Sequence, residues 1–245
     1  MTSQQTTQRA ARLAFPTLCG LLLAWLMPGI CQAGRPLNTD DAAILAPGDC
    51  QLESWWQQSA NVRQQVLAPA CNWGGGVEWG ASLTGAQGPA RSAPTQVGLQ
   101  AKTVLREIGV GDWGAGISAG LSRALSGRQE EGTTQTAAAL LSIAPREWLQ
   151  LHMNLGATRN AVKPLTATWA AAVDYSLGAR WTLSLEAFGE RHGRPTQQLG
   201  ARVWLLQDRL QLDASLGREP VTDDRPGRRL QRIASLGLVW VWSGR

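Results

Sequence analysis

The chain has 245 residues, a formal net charge of +5, only 17% charged residues, 27 glycines and 12 tryptophans. Beyond its N-terminal leader no run approaches the length of apolar chain that a transmembrane helix needs, so no spanning helix is expected there. Its lysines and arginines form no stripe interleaved with aromatic stacking partners, so nucleic-acid binding is not supported.

Residues 1–33 have the pattern of a cleaved secretory signal. Arg9 and Arg12 make the positive end, Leu13 to Met27 the apolar segment, and Cys31-Gln32-Ala33 a small-x-small site with cleavage after Ala33. A lipoprotein would need a cysteine directly after a small residue, but Cys19 follows Leu18 and Cys31 follows Ile30. Export puts Cys50 and Cys71 in an oxidising compartment, where a disulfide is the default. If Ser59 to Val62 is the tip of a hairpin, residues whose numbers sum to 121 face each other, and Cys50 and Cys71 do. A zinc site would want four ligands, and only His152 and His192 exist besides the cysteines. No metal and no cofactor is expected.

Residues 34–48 are polar, hold two prolines and lack alternation, so they read as an irregular segment that can enter whatever the rest encloses. From residue 49 onward the chain alternates with period 2, the mark of pleated strands. After the first hairpin, Val77, Trp79, Ala81 and Leu83 oppose Glu78, Gly80, Ser82 and Thr84, and Val97, Leu99 and Ala101 oppose Gly98, Gln100 and Lys102. Trp113, Ala115 and Ile117 oppose Gly114, Gly116 and Ser118, and a weaker strand covers Thr133 to Ile143. Leu149 to Ala157, Leu165 to Tyr175, Trp181 to Ala187, Leu199 to Leu205 and Leu210 to Leu216 repeat the pattern. Pro69 marks the second strand as the weakest, because it removes a ladder donor. The connections alternate between tight (Ala144–Glu147, Gly178–Arg180, Gln207–Arg209) and longer polar ones.

The last stretch, Leu230 to Trp242, puts Leu236, Leu238, Trp240 and Trp242 on one parity. Ser235, Gly237, Trp240 and Trp242 stand in the order polar-x-Gly-x-x-aromatic-x-aromatic. This resembles the terminal strand by which bacterial outer-membrane barrels are recognised by the barrel assembly machinery, although Ser243, Gly244 and Arg245 follow it. RPLNTDDA (Arg35 to Ala42), PGDCQLE (Pro47 to Glu53) and LAPACN (Leu67 to Asn72) resemble the opening of proteobacterial outer-membrane proteins related to the MetA-pathway phenol-degradation, transporter-like barrels. Thr168 to Glu190 and Val203 to Gly217 resemble the same group. The resemblance implies a fold, and an aromatic compound as solute, rather than any chemistry.

The expected fold is therefore all-β: a transmembrane antiparallel up-and-down barrel of about twelve strands over residues 49–245. Lipid cannot satisfy backbone N–H and C=O groups, so a sheet that spans it must close on itself. The large aliphatics and indoles would face lipid, and the glycine- and hydroxyl-rich parity would line a lumen. A soluble lipocalin-like barrel would show the reverse. Trp79, Trp113, Trp181, Trp240 and Trp242 gather beside the short turns, as an aromatic girdle on the periplasmic side would. Glu78, Lys102, Asp174, Glu186, Arg202 and Asp213 share the lumen parity, with Glu53 beside them. They suggest a mixed-charge constriction below a roomier outer vestibule. Acids outnumber bases in that set, so Arg35 is a candidate to enter the lumen and compensate. The loop arginines would meet lipopolysaccharide phosphates.

The leading reading is a monomeric outer-membrane barrel that passes small solutes and is not an enzyme. Its alternatives are a structural barrel with a plugged lumen and an outer-membrane hydrolase using Ser118 or His152. Gly116 to Gly120 fits G-x-S-x-G, but that elbow needs a strand, a sharp turn and a helix, and here the serine lies inside an alternating strand.

Overall fold

The computed structural model describes residues 37–60, 62–88, 95–125, 132–221 and 229–244. The expected leader and Arg35 lie outside them, as do the loop residues Arg91, Arg128, Arg225 and Arg228. The alternating stretches form twelve strands: β1 Asp49–Ser59, β2 Val62–Cys71, β3 Val77–Gln87, β4 Gln96–Arg106, β5 Asp112–Ala124, β6 Thr133–Arg146, β7 Leu149–Arg159, β8 Thr166–Leu177, β9 Trp181–Glu190, β10 Thr196–Leu206, β11 Leu210–Pro220 and β12 Leu230–Ser243. Each pairs antiparallel with its neighbour in sequence, and β1 pairs with β12, so the sheet is a closed barrel with no free edge.

The register follows the parity of the sequence. Cys50 lies opposite Cys71 and Ser59 opposite Val62. The two cysteines form a disulfide across the ladder, with Cα atoms 4.0 Å apart. The β2–β3 ladder stops at Leu67–Leu83 and resumes at Ala70–Gly80. Pro69 lies in that gap, where it has no N–H to donate. β6 runs on to Arg146, so the turn expected over Ala144–Glu147 shrinks to Glu147 and Trp148, with an irregular register between Ile143 and Arg146. Gly178 makes the β8–β9 turn with φ 72°, a conformation open to glycine at no steric cost.

The turns expected to be tight lie at one end of the barrel, together with the start of β1 and the end of β12. The longest connections lie at the other end, beside the two-residue β1–β2 turn. Outward side chains are apolar and uncovered: Leu155, Leu199 and Leu216 are 60–70% exposed, whereas their inward neighbours Asn154, Gln198 and Ser215 are buried. Trp79, Trp113, Trp181, Trp240 and Trp242 all face outward near the short-turn end, where the exposed Trp73 and Trp148 of the turns join them. The Arg106 guanidinium lies 4.0 Å from the centre of the Trp113 ring, and Trp240 and Trp242 tilt together at 5.4 Å. An apolar surface of this extent around a closed sheet fits hydrocarbon rather than water. This is the architecture of a bacterial outer-membrane barrel.

Candidate functional site

The inside of the barrel is polar because the second parity carries polar and small residues, and its filling is uneven. On the β6–β12 side the inward residues Ser142, Gln150, His152, Asp174, Ser184, Glu186, Gln198, Arg202, Gln211 and Asp213 are all buried. On the β1–β5 side the lumen residues are smaller. Gly80, Ser82, Gly98, Gly120 and Ser122 leave a cavity of about 640 Å³ open above the segment that precedes β1.

That segment, residues 37–48, lies inside the barrel. An irregular stretch has no ladder to satisfy its N–H and C=O groups, and a buried one must find partners elsewhere. Here the wall supplies them from four strands and one turn. The Thr39 N–H and hydroxyl both donate to the Glu186 carboxylate of β9. The Asp40 N–H donates to Asn154 Oδ1 at 2.7 Å, and Asn154 Nδ2 returns a bond to the Asp40 carbonyl at 2.8 Å. The Ala42 N–H donates to Ser142 Oγ at 2.8 Å, and the Leu45 N–H to Glu78 Oε2 at 2.8 Å. Asn72, in the β2–β3 turn, donates to the Leu45 carbonyl at 2.6 Å. The Leu45 side chain packs on Val239 and Val241 of β12.

Charge holds the segment as well. Lys102 of β4 reaches Asp40 at 2.6 Å and Asp41 at 2.9 Å, with its side chain 7% exposed. Burial pushes the Asp40 carboxyl above its ordinary value, and the Lys102 ammonium pulls it back. The segment therefore brings acids to the lumen. The compensating base expected at Arg35 lies outside the described residues, and the pairing that is visible has the opposite sense: a wall lysine neutralised by two carboxylates of the segment.

The six charged lumen residues picked out by parity thus fall into two groups. Glu78, Lys102 and Glu186 hold the N-terminal segment. Asp174, Arg202 and Asp213 lie in the wall: Arg202 donates to Asp174, and Asp213 is its register neighbour on β11. Gly237 of the terminal motif faces Asp213, and a Cβ there would lie 2.5 Å from Asp213 Oδ1. The glycine leaves room for that carboxylate, which gives it a packing role inside the barrel. Asn72, Ser142 and Asn154 were not visible to parity reasoning as anchors, because neutral polar residues fill most lumen positions.

His152 lies between Ser142 and Asp174. Its Nδ1 is 2.8 Å from Ser142 Oγ, and its Nε2 is 3.7 Å from Asp174 Oδ2. The order serine, histidine, aspartate is that of a hydrolytic triad. Here, however, Ser142 accepts the Ala42 N–H, and all three side chains are closed off from the cavity. Ser142, with His152 behind it, anchors the segment. Ser118 is on β5 opposite Lys102 and Ala138, away from His152.

Comparison with solved structures returns other barrels. The COG4313 outer membrane channel from Pseudomonas putida F1 is 10% identical, with a TM-score of 0.63 over 84% of this chain and 100% of that one. The KdgM porin in complex with disordered oligogalacturonate is 10% identical, with a TM-score of 0.61 over 78% and 98%. Outer membrane phospholipase A from Escherichia coli is 12% identical, with a TM-score of 0.51 over 86% and 94%. At these identities the likeness is one of fold. No curated protein matched the chain. The family described as uncharacterised conserved protein UCP029691 matches residues 21–226.

Proposed function

The chain belongs to the family of uncharacterised conserved protein UCP029691, and from that premise and the lumen geometry we propose an outer-membrane channel for small solutes, held closed by residues 37–48. The observation that carries this reading is how the segment is held. Its partners are wall side chains that water can replace, and a cavity of about 640 Å³ lies directly above it. A lumen meant only to be filled needs no such room. On this reading the short-turn end is periplasmic, the five tryptophans form its girdle, and the described lumen charges Glu78, Lys102, Asp174, Glu186, Arg202 and Asp213 set the constriction. Ser235, Gly237, Trp240 and Trp242 serve assembly, lipopolysaccharide meets the outer loops, and the barrel works as a monomer without catalysis. The resemblance to phenol-degradation barrels adds an aromatic compound as solute, for which Trp55 in the cavity lining is the available ring.

Swelling of proteoliposomes tests the channel. Arabinose should enter vesicles that carry the full-length protein faster than protein-free vesicles, and raffinose should enter neither faster. The second reading, a structural barrel with a permanent stopper, rests on the depth to which Thr39, Ala42 and Leu45 are buried. It predicts no swelling with either sugar.

A further inference from the structure

The outer wall of the barrel differs between its two ends. At the short-turn end it carries the tryptophans, and the guanidinium stacked on Trp113, that of Arg106, is paired with Asp112 at 2.6 Å. Toward the long-loop end five strands place an arginine on the outward parity: Arg63 on β2, Arg123 on β5, Arg159 on β7, Arg218 on β11 and Arg232 on β12. Each is exposed and shares its face with the exposed leucines of its strand. Arg218 and Arg232 stand apart from the rest because they are register partners on adjacent strands. The other three face uncharged partners: Arg63 meets Gln58 and Gln87, Arg123 meets Val97 and Thr133, and Arg159 meets Gln135. Side chains directly opposite in an antiparallel pair have Cβ atoms about 5 Å apart, and like charges placed so repel. Neither Arg218 nor Arg232 makes an ion pair or a side-chain hydrogen bond among the described residues. Glu219, next to Arg218 in the chain, is on the other face of the sheet, where it accepts bonds from Ser59 and Gln231.

Directly below the pair the outward face is apolar, with Leu216 opposite Ala234 and then Ala214 opposite Leu236. Its height fits a membrane border. Leu210 is opposite Trp240 of the girdle. From Leu210 to Arg218 a strand climbs about 27 Å, which a tilt of about 40° turns into about 20 Å along the axis, against an apolar band about 25 Å tall.

We infer that Arg218 and Arg232 together form a docking site for the phosphate of an outer-leaflet glycolipid, a phosphomonoester on a sugar whose acyl chains lie along Leu216 and Leu236. One phosphate between the two guanidiniums replaces their repulsion with charge-assisted contacts, for which the planar fork of arginine is suited. Free phosphate would satisfy the charges and leave the leucines beneath uncovered, whereas a lipid answers both. The lipid A part of lipopolysaccharide has this chemistry. The inference rests on the outer-membrane channel reading for which leaflet the long-loop end meets, but binding itself requires no current.

The test titrates the full-length barrel in detergent with three lipids, read by native mass spectrometry: phosphorylated lipid A, lipid A with its phosphates removed, and phosphatidylglycerol. Phosphorylated lipid A should be retained at one tight site per barrel, with the other two weaker by about tenfold or more. Arg218→Gln combined with Arg232→Gln should weaken phosphorylated lipid A by about tenfold and leave the dephosphorylated form unchanged. Arg159→Gln, which removes an outward arginine that has no arginine opposite it, should change the affinity by less than about twofold. Lysine at both positions keeps the charge and should lose less than glutamine does. Heat-modifiable migration on gels confirms that each variant is a closed barrel. Inorganic phosphate should not displace the lipid, and displacement at millimolar phosphate would overturn the lipid assignment. Equal retention of dephosphorylated lipid A or phosphatidylglycerol, or unchanged affinity in a folded double glutamine barrel, would overturn the inference whatever the channel does. Selective retention without proteoliposome swelling would sink the channel reading and leave this one standing.

Discussion

Leu155→Arg should destabilise the barrel in lipid by about 2–4 kcal/mol, measured by reversible urea unfolding in bilayers. Leu155 is near the middle of β7, faces outward and is 65% exposed. At the bilayer midplane an arginine there has no water and no partner carboxylate, and its side chain must snorkel or thin the membrane. The matched control is Gln100→Arg. Gln100 is on the cavity side of β4, so its guanidinium would meet solvent and carboxylates, and the change in stability should stay within about 0.5 kcal/mol. The contrast between the two variants separates a lipid-facing parity from a soluble barrel, for which the larger penalty would fall on the inward site.

The second large effect is expected at Lys102→Met. The wild-type ammonium is bonded to Asp40 and Asp41 and is almost fully buried. Methionine keeps much of the volume but leaves both carboxylates in the lumen without their cation, beside Glu78, the register partner of residue 102. Breaking a buried pair from one side costs about 3–5 kcal/mol, which is more than a hundredfold in the occupancy of the docked segment. A cysteine placed at Ala42, which is 1% exposed in the docked state, reads this directly. Maleimide should label it slowly with Lys102 present and rapidly in Lys102→Met. Adding Asp40→Asn and Asp41→Asn removes the stranded charges and should slow the labelling again. Rapid labelling with Lys102 intact would mean that the segment is not held as described.

Much of the barrel was legible in the residue order. Period-2 alternation needs only local sequence to assign each side chain to a face, and a closed sheet then has just one inside. The Cys50–Cys71 pairing followed from a hairpin tip placed at Ser59 to Val62, because one fixed point sets a whole antiparallel register. The contents of the lumen were less accessible. The segment before β1 has no period, so nothing in it fixes which wall residue meets which N–H. Thr39 bonds to Glu186 across a separation of 147 residues and Ala42 to Ser142 across 100. Such contacts depend on strand tilt and stagger, which alternation does not encode. The same gap explains why His152 could be named as a possible base without its serine: Ser142, its neighbour across the β6–β7 ladder, is the one within reach, and nothing in the alternation singles it out. The mixed charge of the lumen could be read from parity. That Lys102 would be satisfied by acids of the N-terminal segment could not, since Asp40 and Asp41 carry no signal of where they dock.

The most direct measurement is single-channel current in planar bilayers, comparing the full chain with one that lacks residues 37–46. The account predicts that the full chain is mostly closed with brief openings. The shortened barrel should conduct continuously, with a mean current higher by about tenfold or more, and should prefer cations because Glu53, Glu78 and Glu186 remain in the lumen. Equal currents from the two proteins, with both folded as heat-modifiable barrels, would contradict it.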